Sequence, residues 1–481
     1  MTDTGTPMTV RFARRPRRGL LLGLSAPRVA CLAVAVSVLI PAMFTTGALG
    51  AALTLPLWGG LVALAFVRVG GRIAVEAAPT AVHYLVRRAS GQTRYRVRPG
   101  RPRPAGTVAL PGDGARLRFL VDDHGGPAIL HDPHAQTLTV VGVVSHPAFV
   151  LLSADEQARR VHAWGRGLAA VAASGTGTRL QVLELTLPDS GRGITGWWDT
   201  HRASAHGTLA ADAYGELMRT RVVGSASHRT LIALSLDLRK SRTWIRRTGR
   251  GMRGAVAFLH QEVASLEASM RAAELRLGSW LDESALAATL RTAYDPGFAL
   301  QDPRPTAKLA TAGPIAIDEH WDYLRHDSSF SAVLWISEWP RVSAPTFFLH
   351  ALVFQPGIRK TLSLTFEPIP VDAAMRDIRK AKVEYATEAA QKAKIGAIAD
   401  LSDTVEREDV VDRERALIAG HADIRFTGLL TVTAPTREEL EGAVAEVSRA
   451  AIQCGCETRR LSGQQGRAFT AAALPLARKV N

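Results

Sequence analysis

The chain has 481 residues, of which 47% are apolar and 21% charged, so it is too apolar to be disordered throughout. Three cysteines in this length exclude a disulfide framework, and 59 Lys and Arg against 44 Asp and Glu give a formal net charge of +15. That surplus is compatible with an anionic membrane, a nucleic acid or an acidic protein as partner, and it does not choose among them.

The first predicted element is a transmembrane helical hairpin over residues 28–68. Residues 29–67 contain no Asp, Glu, Lys or Arg over 39 positions, whereas one membrane span needs about 20 residues. We expect spans over 28–46 and 53–67, with Gly47 and Gly50 in the turn. A cleaved signal peptide is the alternative, but its apolar run would be only about 7–15 residues long.

Arginines flank this hairpin on both sides. Residues 1–27 form a basic tail, and the flanking arginines are Arg14, Arg15, Arg17, Arg18, Arg28, Arg68 and Arg72. Because Lys and Arg are retained on the cytoplasmic side, both termini are predicted to be cytoplasmic in a multi-pass protein of the plasma membrane. Topology alone accounts for the clustering, and contact with membrane lipids is a compatible second role.

Residues 69–106 connect the membrane to the rest of the chain. The pattern predicts a helix over 69–90, followed by a basic linker rich in Pro and Gly over 91–106. The linker is either a solvated spacer or a polybasic contact with lipid.

A first cytosolic α+β domain is predicted over 107–300. Alternating and apolar runs bounded by Gly, Pro and Asp predict strands over 117–122, 137–144, 180–186 and 228–238. Predicted helices cover 153–173, 194–221, 251–277 and 283–293.

A second cytosolic α+β domain is predicted over 301–481. Its predicted strands are 328–337, 347–354, 359–366, 424–432 and 457–461, and its predicted helices are 373–399, 402–419 and 436–454. The two charged helices form a helical hairpin over 372–420, which is either a solvated face or a protruding docking arm. The predicted fold is therefore membrane-anchored α+β: a transmembrane hairpin followed by two ferredoxin-like units, which share an outline without a sequence repeat.

The motifs that carry common chemistries are missing from the sequence. It has no G-x-x-x-x-G-K-[ST], no G-x-G-x-x-G after a strand and no G-x-S-x-G. His124, His131 and His134 lie among aspartates, but their spacing matches no zinc pattern and favours a loop. Cys454 and Cys456 have no second pair, and packing explains them. We therefore predict a protein that is not an enzyme and that has no cofactor or metal.

Some short stretches combine polar and aromatic residues in a more specific pattern than a loop needs. The sequence S-E-W-P-R contains Glu338, Trp339 and Arg341; R-E-R-A-L-I-A-G-H contains Arg413 and Glu414; G-Q-Q-G contains Gln464. Glu338 and Arg341 are spaced to pair. These six residues are the candidate docking residues, although local packing of an aromatic beside a turn is the favoured alternative.

The order of these motifs resembles an actinobacterial family of two-span membrane proteins from conjugative and type IV-like secretion loci. The resemblance rests on Trp164-Gly165, L-P-D-S-G at 187–191, Y-D-P at 294–296, S-E-W-P-R, R-E-R-A-L-I-A-G-H, Phe426-Thr-Gly428, G-Q-Q-G-R-A-F at 463–469 and A-L-P-L at 473–476. The hairpin is similar to PrgI/VirB-type subunits. The soluble part looks like the N-terminal domain of VirB-type ATPases without the motor domain.

This resemblance implies a non-enzymatic structural subunit that docks a separate ATPase to a polytopic membrane channel. The implied partners are that ATPase, the channel subunits, membrane lipids and further copies of the chain, and nucleic acid is not expected as a direct ligand. The architecture is also similar to EccE-type components of type VII secretion, which is the second hypothesis. The third is a membrane-tethered nucleic-acid binder, because of the net charge.

Overall fold

The structure is a computed structural model that describes residues 9–10, 12, 24–69, 71–98, 100, 103–108, 110–120, 126–145, 149–188, 192–201, 208–221, 226–300, 307–394 and 401–480. It has a mixed α+β fold built on one large sheet. The predicted α+β class is confirmed at this level.

The N-terminal part contains β1 (Thr9–Val10), α1 (Ala26–Leu53), α2 (Leu55–Phe66), β2 (Arg68–Val69), β3 (Arg72–Ile73), α3 (Ala74–Ala89) and β4 (Arg94–Arg96). Among the described residues, α1 is the one helix both long and apolar enough to cross a membrane; α2 is apolar but shorter. Large apolar side chains such as Phe44, Leu49 and Leu53 are exposed on α1.

The helical path through α1 is interrupted at Gly47, which has φ +62° and ψ −144°. Glycine adopts this backbone conformation without the steric cost that a side chain adds. The segments on its two sides touch, because the Cys31 thiol donates a hydrogen bond to the Leu61 carbonyl at 3.3 Å. Within the segment after Gly47, the Trp58 indole donates to the Ala51 carbonyl at 3.1 Å and joins α2 to the end of α1.

The middle of the chain contains β5 (Arg118–Leu120), β6 (Ile129–Asp132), β7 (Thr137–Ser145), α4 (Ala154–Ala173), β8 (Arg179–Pro188), α5 (Arg192–His201), α6 (Leu209–Arg221), β9 (Ala226–Asp237), α7 (Arg242–Arg247), α8 (Gly251–Ala272), β10 (Arg276–Trp280) and α9 (Glu283–Tyr294). Helix α4 begins at a capping box, in which Ser153 and Glu156 satisfy each other's backbone N–H groups. The predicted helix over 251–277 is too long, because Glu274 has φ +55° and the chain turns there into β10.

The last part contains β11 (Ala316–Glu319), β12 (Leu324–His326), β13 (Ser329–Glu338), β14 (Ala344–Pro345), α10 (His350–Val353), β15 (Arg359–Ile369), α11 (Val371–Lys394), α12 (Leu401–Ile418), β16 (Asp423–Ala434), α13 (Arg437–Gln453), β17 (Glu457–Arg460) and α14 (Gln465–Ala472). The predicted strand over 347–354 is wrong. A largely apolar run of eight residues does not distinguish strand from helix, and the segment forms a turn followed by α10, with the Phe347 ring 4.9 Å from that of His350.

The 13-stranded sheet has the order β4-β11-β12-β13-β16-β15-β8-β9-β7-β6-β5. Two further strands join the sheet outside this linear order: β10 pairs with β7, and β17 pairs with β13. The halves of the chain meet where β8 pairs with β15 in antiparallel register, with Leu183 opposite Ser363. One sheet therefore runs through both predicted domains.

The same sequence of elements occurs on both sides of the β8–β15 joint. Apart from the short helix α7 in the first half and the short strand β14 in the second, each half has a two-stranded hairpin, a long strand, a helix, a strand, a pair of helices, a strand, a helix, a strand and a final helix. The helical pairs α5–α6 and α11–α12 are inserted at equivalent places. Because β8 and β15 are antiparallel, the two pairs leave the sheet at opposite ends.

Helices cover both faces of the sheet. Helices α4 and α8 pack over the first half of one face, and α10 and α13 over the second half. The opposite face carries a core that spans both halves and is covered by α9, α14 and the C-terminal segment. Buried Leu183, Leu231 and Val333 belong to this shared core.

Candidate functional site

An aromatic pocket lies just beyond the end of β13. Trp339 packs against Phe426 of β16 at 5.1 Å and against Phe348 at 6.3 Å, measured between ring centroids. A Cβ atom at Gly428 would lie 2.7 Å from Cζ2 of Trp339, so only glycine leaves room for the indole. We call these four residues the Trp339 pocket. It unites the S-E-W-P-R motif with the Phe426-Thr-Gly428 motif.

The N-terminal strand of the same chain occupies this pocket. Strand β1 pairs antiparallel with β14, with Val10 opposite Ala344. The Phe12 ring then stacks on Trp339 at 5.2 Å with an interplanar angle of 22°. A short strand added to a sheet edge, with an aromatic anchor in a pocket beside it, is the arrangement by which many domains bind extended peptides.

Charged side chains form the rim of the pocket. Arg341 lies 2.6 Å from Glu338 and 3.3 Å from Glu457, so the predicted Glu338–Arg341 pair is present in the structure. The Arg341 side chain is 62% exposed. An exposed pair of this kind contributes at most about 1 kcal/mol to stability, so the rim residues contribute little to the fold itself.

The other candidate docking residues lie in different places. Arg413 forms an ion pair with Asp423 at the start of β16, and Glu414 forms one with Lys382 of α11. The Glu414 pair therefore connects α12 to α11, and the Arg413 pair connects α12 to the sheet. Gln464 is the residue preceding α14, on the opposite face of the sheet from α13.

Gly463, the neighbour of Gln464, belongs to a joint between helix α3 and the sheet. Gly463 donates a backbone hydrogen bond to the Trp321 carbonyl at 2.6 Å, and Trp321 packs edge-on against Tyr84 of α3 at 5.2 Å. Arg87 of α3 makes two hydrogen bonds with Glu319, whose side chain is only 3% exposed. Removing either partner would leave an unpaired buried charge, at a typical cost of about 3–5 kcal/mol, so the pair fixes the position at which α3 lies on the sheet.

The predicted membrane-flanking arginines are only partly described. Arg28 lies 3.9 Å from Glu76, which is in the first turn of α3. Arg68 begins β2 and Arg72 begins β3. Arg14, Arg15, Arg17 and Arg18 lie outside the described residues.

Several titratable groups are buried where the structure needs them neutral. His326 Nδ1 donates to the Tyr294 carbonyl at 2.6 Å, so Nε2 accepts from the Ser331 hydroxyl at 2.7 Å. Burial lowers the pKa of His326 to about 4, and burial raises the pKa of Cys456 to about 12. His326 and Ser331 are completely enclosed, so this serine–histidine pair has no access to a substrate.

The described residues hold no group of three or more His, Cys, Asp or Glu placed to bind a metal ion. Of the predicted His and Asp cluster, residues 122–124 lie outside the described residues, and Asp132 pairs with Arg478 at 2.5 Å. Comparison of the chain with protein-family models and with curated proteins gives no match.

Sequence reasoning missed the partners of Trp339. Phe12 lies in the basic N-terminal tail, where the arginines dominate the pattern, and the largely apolar run around Phe348 predicts a strand. Phe426 and Gly428 were noted as a motif, but their spacing along the chain does not indicate Trp339. The antiparallel pairing of β13 with β16 brings these segments side by side.

Proposed function

We propose that the protein is a membrane-anchored scaffold subunit of a conjugative, type IV-like secretion machine, which docks a separate ATPase at the membrane. The observation that carries the proposal is the direct attachment of an apolar, exposed N-terminal helix to a large folded platform. The attachment runs through α3, which the Arg87–Glu319 pair and the Tyr84–Trp321 contact hold on the sheet.

The N-terminal helices are proposed to cross the membrane as a hairpin. The helical segment before Gly47 and the segments between Gly47 and Phe66 each reach roughly 30 Å, the thickness of a hydrocarbon core. The Cys31–Leu61 hydrogen bond supports antiparallel packing of the two arms. Arginines on both flanks then favour a cytoplasmic location for both termini and for the platform.

The platform is proposed to consist of two ferredoxin-like units. In each half the order of the four central strands is the same: β10-β7-β9-β8 in the first and β17-β13-β16-β15 in the second. A doubled unit with helical pairs at opposite ends presents two separate protruding surfaces, which suits a scaffold. The sequence contains no P-loop, so the energy for transport would come from the partner ATPase.

A pull-down from the native host tests this function. Tagged full-length protein is extracted in mild detergent, and the co-purifying proteins are identified by mass spectrometry. We expect a VirB-type ATPase and polytopic channel proteins. Recovery of EccB-, EccC- or EccD-type proteins would instead assign the chain to type VII secretion, and recovery of neither set would overturn the scaffold function.

Two charge-reversal variants locate the docking surface in the same experiment. Arg341→Glu changes the exposed rim of the Trp339 pocket, and we expect it to reduce recovery of the ATPase several-fold. Arg253→Glu changes an exposed arginine on α8 and serves as the matched control. Equal recovery with both variants, at equal amounts in the membrane, would show that the rim is not the docking surface.

A further inference from the structure

A cavity of about 780 Å³ lies on the face of the sheet that carries the shared core. Its walls come from the end of α3, from Arg179 at the start of β8, from Arg239 just after β9, and from α14 with the C-terminal segment. Sites for nucleotide-sized ligands typically measure about 300–1,000 Å³. The cavity is therefore large enough for such a ligand.

The walls carry far more positive than negative charge. Seven Lys and Arg residues line the cavity, against three carboxylates. Each carboxylate already has an arginine partner among the lining residues: Glu319 with Arg87, Asp113 with Arg467 at 3.2 Å, and Asp132 with Arg478 at 2.5 Å. Four cations remain.

The acids next to the cavity neutralise these four cations only in part. Arg94 lies 3.8 Å from Asp318, a carboxylate that Arg96 also contacts. Arg179 and Lys479 share one carboxylate, Glu367, with Lys240 as a third neighbour. Although burial favours protonated Glu367, the hydrogen bond and charge of Lys479 and the charges of Arg179 and Lys240 hold its pKa below the ordinary value. Arg239 is exposed and has no ion pair among the described residues.

Two buried polar atoms of lining residues also lack partners. The Arg179 Nε–H and the Tyr294 hydroxyl are shielded from solvent, and neither makes a hydrogen bond of good geometry within the described parts of the chain. An unmet buried donor costs about 1–3 kcal/mol. Both are donors, and a ligand rich in acceptor oxygens would satisfy them.

We propose that this cavity binds a small ligand that carries at least two phosphate groups. Guanidinium groups match phosphate oxygens in bidentate geometry, and clusters of arginine are typical of phosphate sites. Arg87 lies roughly 20 Å along α3 from the end of the membrane-proximal segment, which favours a soluble phosphate compound over a lipid headgroup. The enclosing walls leave no room for a nucleic-acid duplex.

Calorimetric titration of the full-length protein in a neutral maltoside detergent tests the proposal. The probes are inorganic pyrophosphate and ATP at low salt. We expect saturable binding that weakens as salt is raised. Arg239→Gln should lower the affinity for pyrophosphate about tenfold, because a charged hydrogen bond is lost, whereas Arg253→Gln should leave it unchanged.

A third arm identifies the source of the phosphate. Protein in nanodiscs of neutral lipid is incubated with phosphatidylcholine vesicles. One set of vesicles also contains about 30% phosphatidylglycerol or cardiolipin, which makes the surface anionic, and the other set does not. Vesicle binding that depends on Arg239, without binding of pyrophosphate or ATP, would assign the site to a headgroup. No binding of any probe, or equal affinity in Arg239→Gln and Arg253→Gln, would overturn the proposal.

Discussion

At the scale of single residues, two completely buried glutamines hold the C-terminal part of the chain. Gln181 of β8 donates to the carbonyls of Ala471 and Leu474 and accepts from the Ala477 backbone N–H at 2.6 Å. Gln465 of α14 accepts from the Val333 backbone N–H at 2.9 Å. Both glutamines contact residues that are far away in the sequence. Their amide groups therefore connect the sheet to the C-terminal part of the chain that covers it.

Replacing Gln181 should therefore loosen the C-terminal segment. Gln181→Leu leaves several backbone groups without partners, at a cost of about 1–3 kcal/mol each, so we expect a loss of at least about 3 kcal/mol in the free energy of unfolding. Chemical denaturation in detergent measures this loss. Gln453→Leu, at an exposed position on α13, is the control and should change stability by less than about 0.5 kcal/mol.

The buried His326 gives a defined pH dependence. Its pKa is about 4 in the folded protein because of burial, against an ordinary value of 6.5, so the unfolded chain takes up a proton first as the pH falls. Neutral His326 therefore adds about 3 kcal/mol to the free energy of unfolding relative to low pH. This contribution is complete above pH 6.5 and is lost as the pH falls from 6.5 to 4.

Unfolding midpoints at pH 7 and pH 5 provide the measurement. His326→Gln should show a smaller drop between the two pH values than the unchanged protein, whereas His260→Asn, at an exposed position, should show the full drop. A drop of equal size in His326→Gln would mean that other groups cause the acid sensitivity.

At the scale of elements, the attachment of β1 to β14 is small, since two residues pair and one ring is inserted. Val10 and Ala344 are directly opposite, and paired Cα atoms in such strands lie about 4.5–5.5 Å apart, within reach of a disulfide. We expect the double variant Val10→Cys, Ala344→Cys to cross-link efficiently on mild oxidation.

Denaturing gels separate the two ways in which this disulfide forms. A faster-migrating monomer indicates that the tail folds back on its own chain, and a dimer indicates exchange between copies. Adding Phe12→Ala should lower the yield several-fold, whereas adding Thr9→Ala should not, because Thr9 pairs through its backbone. A yield that does not depend on Phe12 would refute the anchoring role of its ring.

The sequence patterns predicted the long elements well and the short ones poorly. Strands such as β7 and β16 and capped helices such as α4 and α13 have strong local signals, including Thr436, whose hydroxyl accepts from the Glu439 N–H at 3.2 Å. Strands β11 and β12 are short and lack a predicted counterpart, because pairing rather than composition makes them strands; the short β17 agrees with the strand predicted over 457–461. In helix α14, Gln465 and Gly466 interrupt the apolar pattern by which a buried helix face is predicted.

At the scale of the whole molecule, the sequence divided the chain at about residue 300 but did not reveal how the parts associate. Nothing in the composition of β8 or β15 shows that they pair with each other. Strands at the edge and in the centre of a sheet differ more in their pairing partners than in their residue types. The aromatic pocket and the cavity were missed for the same reason. Each is assembled from segments that are distant in the chain.

The repeated order of elements across the β8–β15 joint has an evolutionary consequence. Two equivalent units that meet through the same strand, in antiparallel register, are arranged as the subunits of a two-fold symmetric dimer would be. A gene duplication followed by fusion of such a dimer would leave this arrangement. The ancestral polypeptide would then have carried one such unit with a single helical pair, and the two present helical pairs would have been free to diverge toward different partners.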